Sequence, residues 1–275
     1  MRGLTKLAQS AGLVFVGTMF GQLLGLLGEL VIIRSVTPST LGYLGLTYAL
    51  VSMLGTIGLF GIPPGVTRFL STDEEHEAGI LSAGYLLSIA SATLIASGLF
   101  VARHSIARIT GEPAISDVLP FFLPYLLALP VAQISFSALR ADQRTIPATI
   151  SRWIAPRVMS LGLLAALVYL LGSPLNGAIS YWVSIPVLTS LCALWFLKDS
   201  VRSVARPTRT ELRTLWRFSW PLAVSVSLTV LLTRLDILML GVFVDSAAVG
   251  QYRSIQPLRQ ITTFATGAFG FLFLP

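Results

Sequence analysis

The sequence predicts an all-α integral membrane protein, and three observations carry the prediction. Hydrophobic residues make up 54% of the 275 and charged residues 11%, with a mean hydropathy of +0.80; a soluble domain averages about 25% charged. Apolar runs of about 20 residues recur along the whole length, which is what a helix needs to cross a hydrocarbon core. These runs are too long for barrel strands, and lipid offers the backbone no partners, so each must satisfy its own amides as a helix.

Reading apolar runs between charged or Pro/Gly-rich breaks gives eight spans, at roughly 10–33, 41–64, 79–101, 117–138, 150–171, 178–197, 218–243 and 249–275. The first is a span rather than a cleaved signal peptide, because its apolar run is too long and lacks a cleavage-like ending. "GIPPG", Gly61 to Gly65, breaks the end of the second. "STDEEHEAG" opens the third, with Asp73, Glu74 and Glu75 in a first helical turn where acids complement the helix dipole. Prolines interrupt the fourth in "LPFFLPYLLALP", Leu119 to Pro130, the sixth at Pro186 and the eighth at Pro257. Each removes a backbone hydrogen bond and kinks its helix, and such kinks are candidate hinges. The organisation is a six-helix lobe over 1–197, a basic connector over 198–217, and over 218–275 the first two helices of a second lobe that reads as stopping before it is complete.

The net charge of +7 is explained by its distribution rather than by nucleic acid. With the N-terminus inside, thirteen of the 19 basic residues fall in cytoplasmic segments, among them Arg140, Arg144, Arg152, Arg157 and the connector's Lys198, Arg202, Arg206, Arg209, Arg213 and Arg217. This positive-inside bias predicts a multi-pass protein of the cell membrane with a cytoplasmic N-terminus. The connector is also a candidate contact for anionic lipid. The single cysteine, Cys192, excludes an internal disulfide and a thiolate metal cluster, and His76 and His104 are distant loop residues. No metal or other cofactor is expected.

Polar residues within the spans fall on helix faces. Thr18, Gln22 and Glu29 share one side of span 1; Ser225, Thr229, Thr233 and Asp236 share one side of span 7; Arg253, Gln256 and Gln260 do so on span 8, with Arg259 on a neighbouring flank; span 2 adds Tyr48, Ser52 and Thr56. A charge at mid-bilayer costs roughly 2.5–3.5 kcal/mol on insertion scales, so these faces should line protein interior or a watery cavity. Arg234 and Asp236 stand about 200° apart around a helix and cannot pair with each other. Arg253 and Arg259 are the expected partners of Asp236, while Arg234 packs under another helix or reaches toward an interface.

A shift of 207 residues places Thr18, Gln22 and Glu29 on Ser225, Thr229 and Asp236, and one extra residue in the next turn sets "TPSTLGY" against "DSAAVGQY", with Gly42 on Gly250. Six spans separate the copies, so they have the same orientation, as in transporters with two parallel lobes.

Three segments carry a resemblance. "RSVTPSTLGYLGLTYALVSMLGTIGLFGIPPGVTRFLS", "TRLDILMLGVFVDSAAVGQY" and "ALRADQRTIPATISRWIAPRV" resemble the polysaccharide-biosynthesis flippases, the polysaccharide transporter branch of the multidrug/oligosaccharidyl-lipid/polysaccharide (MOP) superfamily, which includes Wzx-type flippases. The resemblance implies a MOP/MATE-like fold of two six-helix lobes around a central cavity, of which this chain carries one lobe and two helices of the other. It also implies movement of a lipid-linked oligosaccharide to the external leaflet.

The expected substrate is a lipid-linked anionic glycan, with membrane lipids as surroundings, glycan-assembly proteins as possible partners and no nucleic acid. Arg253 and Arg259, with Arg234, are the candidate phosphate contacts, since arginine's fork suits phosphate. Gln22, Thr229, Thr233, Gln256 and Gln260 are candidates for sugar hydroxyls, and Glu29 and Asp236 for ion coupling or for holding arginines. The rivals are a multidrug or cation antiporter of the same superfamily, in which a deep acid would dominate, and a non-functional relic. An enzyme is not expected: external loops offer only Glu112, Asp117 and Asp245 as acids, without a DxD pair.

Overall fold

The structure, a computed structural model, describes residues 2–72, 77–198 and 205–258. The expectations for Asp73, Glu74, Glu75, Arg259, Gln260 and most of the eighth span lie outside the described residues. Within them the chain is α-helical: α1 Arg2–Ser35, α2 Pro38–Ile57, α3 Ile62–Leu70, α4 Glu77–Ile109, α5 Ala114–Ala141, α6 Thr145–Leu170, α7 Pro174–Phe196, α8 Arg209–Phe243 and α9 at 246–258. Seven of these helices are long and apolar enough to cross a membrane, matching the first seven expected spans.

Boundaries moved where local chemistry overrides hydropathy. The second span is shorter than expected because Phe60 and Gly61 take positive φ, 46° and 66°, which stops α2 and starts α3 at Ile62. The seventh begins earlier, inside the basic connector. There Thr208 Oγ1 accepts the Glu211 amide at 3.3 Å, the Thr208 amide donates to Glu211 Oε2 at 2.6 Å, and this capping box launches a helix. That first stretch is amphipathic: Glu211, Leu215 and Ser219 are buried, whereas Arg209, Arg213 and Arg217 are exposed. Pro120, Pro124 and Pro130 lie inside an unbroken α5, and Pro186 inside α7.

Within the first lobe α1 runs along α6, α6 along α7, α7 along α5, and α5 along α4 and α2. Two apolar layers hold this ring. One gathers Leu44, Leu119, Phe122, Leu126, Tyr181 and Trp182, and the other Ile62, Val66, Ile134, Leu139 and Leu215. The eighth helix packs on α2, α3 and α4.

The repeat seen in the sequence has a structural counterpart. Thr37 Oγ1 caps α2 by accepting the Thr40 amide, and Asp245 Oδ1 accepts the Ala248 amide at the start of α9. The two helices then meet at the matched glycines. A Cβ on Gly42 would run into the Ser246 carbonyl oxygen and stand 3.1 Å from the Gly250 amide nitrogen; one on Gly250 would run into the Pro38 carbonyl and stand 3.1 Å from the Gly42 nitrogen. Each helix thus presents the same surface to the other, the reciprocal contact that a two-fold relation between repeats produces.

Candidate substrate cavity

Close approach at the α2/α9 crossing decides where Arg253 goes. Gly45, one turn beyond Gly42, has no side chain to obstruct it: a Cβ there would collide with Arg253 Cδ. The arginine therefore passes across α2, placing Nη1 3.5 Å from the Gly45 carbonyl and Nη2 3.7 Å from Glu29 Oε2 on α1. The second Glu29 oxygen accepts the indole N–H of Trp182 at 2.8 Å. The guanidinium also lies 4.7 Å from the Trp182 ring and 5.5 Å from Tyr48, whose ring stacks on Trp182 at 5.1 Å and 17°. A desolvated cation over an aromatic face gains about 2 kcal/mol, which offsets part of the cost of burial. Arg253 is 4% exposed, and its Nε is buried without a hydrogen-bond partner.

Around this cluster lies a cavity of about 160 Å³ whose polar walls include Glu29, Tyr48, Arg157, Arg234, Arg253 and Gln256. The Arg234 guanidinium sits 5.4 Å from the other end of the system, the Tyr48 ring. A second cavity of about 180 Å³ lies against α5, lined by Tyr125, Gln133, Arg152, Trp153 and Thr189 among others. Tyr48, Arg157, Trp182 and Ile185 belong to both and form the septum between them.

Of the residues singled out in the sequence, Arg253, Arg234, Gln256 and Glu29 meet at the first cavity. Asp236 does not reach Arg253; it accepts a 2.6 Å hydrogen bond from the Tyr252 hydroxyl. The reason is Gly45, which gives Arg253 a path to the other lobe's acid. Thr229 and Thr233 are exposed, return their hydroxyls to the Ser225 and Val230 carbonyls of their own helix, and line neither cavity. Gln22 is half-buried and also lines neither.

Arg152 and Arg157, placed among the cytoplasmic-side charges by the sequence, are in the structure cavity residues of α6. On a regular α-helix they would point about 140° apart. The segment Ile150–Ile154 is instead π-helical. Pro156 lacks the N–H that would bond the Arg152 carbonyl, and its ring crowds that carbonyl, so the turn widens by a residue. The inserted residue takes back about 100° and brings the two arginines to one side. Arg152 Nη1 then donates to Gln133 Oε1 at 2.8 Å, its guanidinium 4.4 Å from the Phe136 ring. Arg157 lies over Gly25, where a Cβ would collide with it, and its Nε is buried without a hydrogen-bond partner. The legible signal was Pro156 between two arginines in an otherwise apolar run. Pro156→Ala should regularise the turn and swing Arg152 away. The expected result is unchanged or higher thermal stability with the Arg152–Gln133 hydrogen bond lost, so that Gln133→Ala, which should cost the intact chain about 1.5 kcal/mol, costs the variant almost nothing on melting. An equal cost of Gln133→Ala in both backgrounds would show that the turn does not place Arg152.

Residues 7–269 match a family model described as polysaccharide biosynthesis protein. Among solved structures, the fold is similar to an inward-facing multidrug resistance MATE family transporter of the MOP superfamily, with TM-score 0.66 and 17% identity over 92% of this chain and 64% of that one. It is similar to a eukaryotic MATE transporter, with TM-score 0.66 and 16% identity over 96% and 64%. A third is a MOP superfamily transporter from Pyrococcus furiosus, with TM-score 0.62 and 16% identity over 92% and 66%, whose binding pocket is described as having reverse polarity that suggests a different function. The chain therefore spans about two thirds of the length of these structures or slightly less. No curated protein matches it by sequence.

Proposed function

Because the chain belongs to the polysaccharide biosynthesis protein family, we propose that it serves as a flippase, moving a lipid-linked anionic glycan precursor across the cell membrane with its N-terminus on the cytoplasmic side. The single observation that carries this reading is the sign of the cavities. Among the described residues, their walls hold Arg152, Arg157, Arg234 and Arg253 against one acid, Glu29. Such an excess suits an anion, and guanidinium forks suit phosphate. The lipid tail stays in the bilayer while the phosphate and first sugars occupy the cavities, and Gln256, Gln133 and Tyr48 supply groups for hydroxyls. The antiporter reading is weaker, since a cation needs an available acid, and Glu29 is already held by Arg253 and Trp182.

Deleting the gene should stop display of a surface glycan and leave its lipid-linked precursor on the cytoplasmic leaflet, and restoring the intact gene should return display. Normal display in the deletion strain, together with a new sensitivity to cationic drugs, would replace the flippase with the antiporter.

A further inference from the structure

Charge arithmetic separates the two cavities. Four arginines and one glutamate leave an excess of three positive charges on their described walls. A phosphomonoester carries about −1.5 to −2 at neutral pH, and a phosphate bridging lipid and sugar carries less. A single phosphate at Arg253 and Arg234 thus leaves Arg152 and Arg157, both half-buried, without a countercharge among the described lining residues.

The second cavity has its own construction. Arg152 is fixed from two directions, by Gln133 and by the Phe136 ring. Arg157 Nε is a buried donor with nothing to donate to. The rings of Tyr125, Trp153 and Trp182 line the same cavity. Its volume of about 180 Å³ is far above the roughly 10–15 Å³ that holds one water, so it admits a larger, ring-sized group. Rigid aromatic faces offer apolar surface to the C–H face of a sugar, and a planar fork offers paired donors to a carboxylate.

We propose that the second cavity is a subsite for an acidic sugar, whose carboxylate is held by Arg152 and Arg157 while its ring packs against Trp153 and Tyr125. The glycan precursor is then one that carries a uronic-acid type residue near its lipid-linked end. This rests on the flippase reading for its context, but the subsite and the phosphate site use different residues and can fail separately.

The test is equilibrium binding to the purified 275-residue chain, followed by tryptophan fluorescence, with four probes: a hexuronic-acid disaccharide, its carboxyl-reduced neutral counterpart, a hexose phosphate and inorganic phosphate. The acidic disaccharide should bind at least tenfold more tightly than the neutral one. Arg152→Gln should abolish that preference and Arg152→Lys should keep part of it, with phosphate binding unchanged within twofold in both and thermal melting reporting that each variant folds. Arg253→Gln should weaken phosphate binding and leave the acidic preference intact. Equal binding of the acidic and neutral disaccharides, or a preference untouched by Arg152→Gln, overturns the subsite. Hexose-phosphate binding that is tighter than uronate binding and is itself lost in Arg152→Gln overturns its assignment to a carboxylate. Phosphate binding that Arg253→Gln leaves unchanged, with the acidic preference intact, counts against the phosphate role of Arg253 and supports the subsite.

Discussion

On the proposed flippase reading, Arg253→Ala is expected to abolish surface-glycan export, and it should destabilise the protein by about 3–5 kcal/mol, the range for breaking a buried ion pair from one side. Glu29 would keep the Trp182 N–H but lose its countercharge, and the Gly45 carbonyl would lose its donor. Two different losses are mixed in that variant, and a second substitution separates them. In Glu29→Gln/Arg253→Ala the orphaned carboxylate becomes a neutral amide whose oxygen still accepts from Trp182, so most of the stability should return. Export should not return, because the phosphate contact proposed for Arg253 is still missing. Measuring the melting temperature in detergent and glycan display in the same strains gives both readouts. Display restored by the double variant would assign Arg253 a purely structural role.

Gly42→Val should be the most damaging small substitution away from the cavities. Its Cβ meets the Ser246 carbonyl oxygen, a backbone atom of a helix that has no rotamer to change. Overpacking usually costs 1–3 kcal/mol, and an obstacle that cannot turn aside belongs at or above the upper end. Gly250→Val should cost about the same, because the contact is reciprocal. Gly98→Val in α4 is the control: a Cβ there meets nothing within 4 Å, so its effect should stay within about 0.5 kcal/mol. Separating α2 from α9 also moves Gly45 relative to Arg253, so export should fall with stability. A Gly42 variant that melts at the temperature of the Gly98 variant would mean that the helices do not meet at these glycines.

The fold was legible because lipid leaves the backbone so few choices. A run such as 79–101 must be a helix, and repeating the count gave eight spans, of which the structure describes the first seven as membrane-length helices. The Glu29 and Asp236 faces and the Gly42/Gly250 match were legible too, since a helix places residues three and four apart on one side. What failed were inferences needing more than one regular helix. That Arg152 and Arg157 share a cavity could not be read from regular helical spacing, because the π-turn at Ile150–Ile154 lies beneath them. Asp236 seems the natural partner of Arg253 while only the seventh and eighth spans are considered, and ceases to be so once Gly45 opens the way to Glu29. Trp182 and Gln133 gave no signal, as an aromatic or an amide in an apolar run has no required direction.

Sequence by itself determined that the chain is helical and membrane-spanning, which helix faces are polar, and that its seventh and eighth spans echo its first and second. These are local or periodic properties, set by composition, spacing and the solvent around the helix. Only the tertiary structure decided which charges meet. The pairing of Arg253 with Glu29, the Tyr48/Trp182 septum and the turn of Arg152 and Arg157 into one cavity depend on how closely two backbones approach. That distance is fixed by side chains absent from Gly25, Gly42, Gly45 and Gly250, and it is defined only once the helices are packed together.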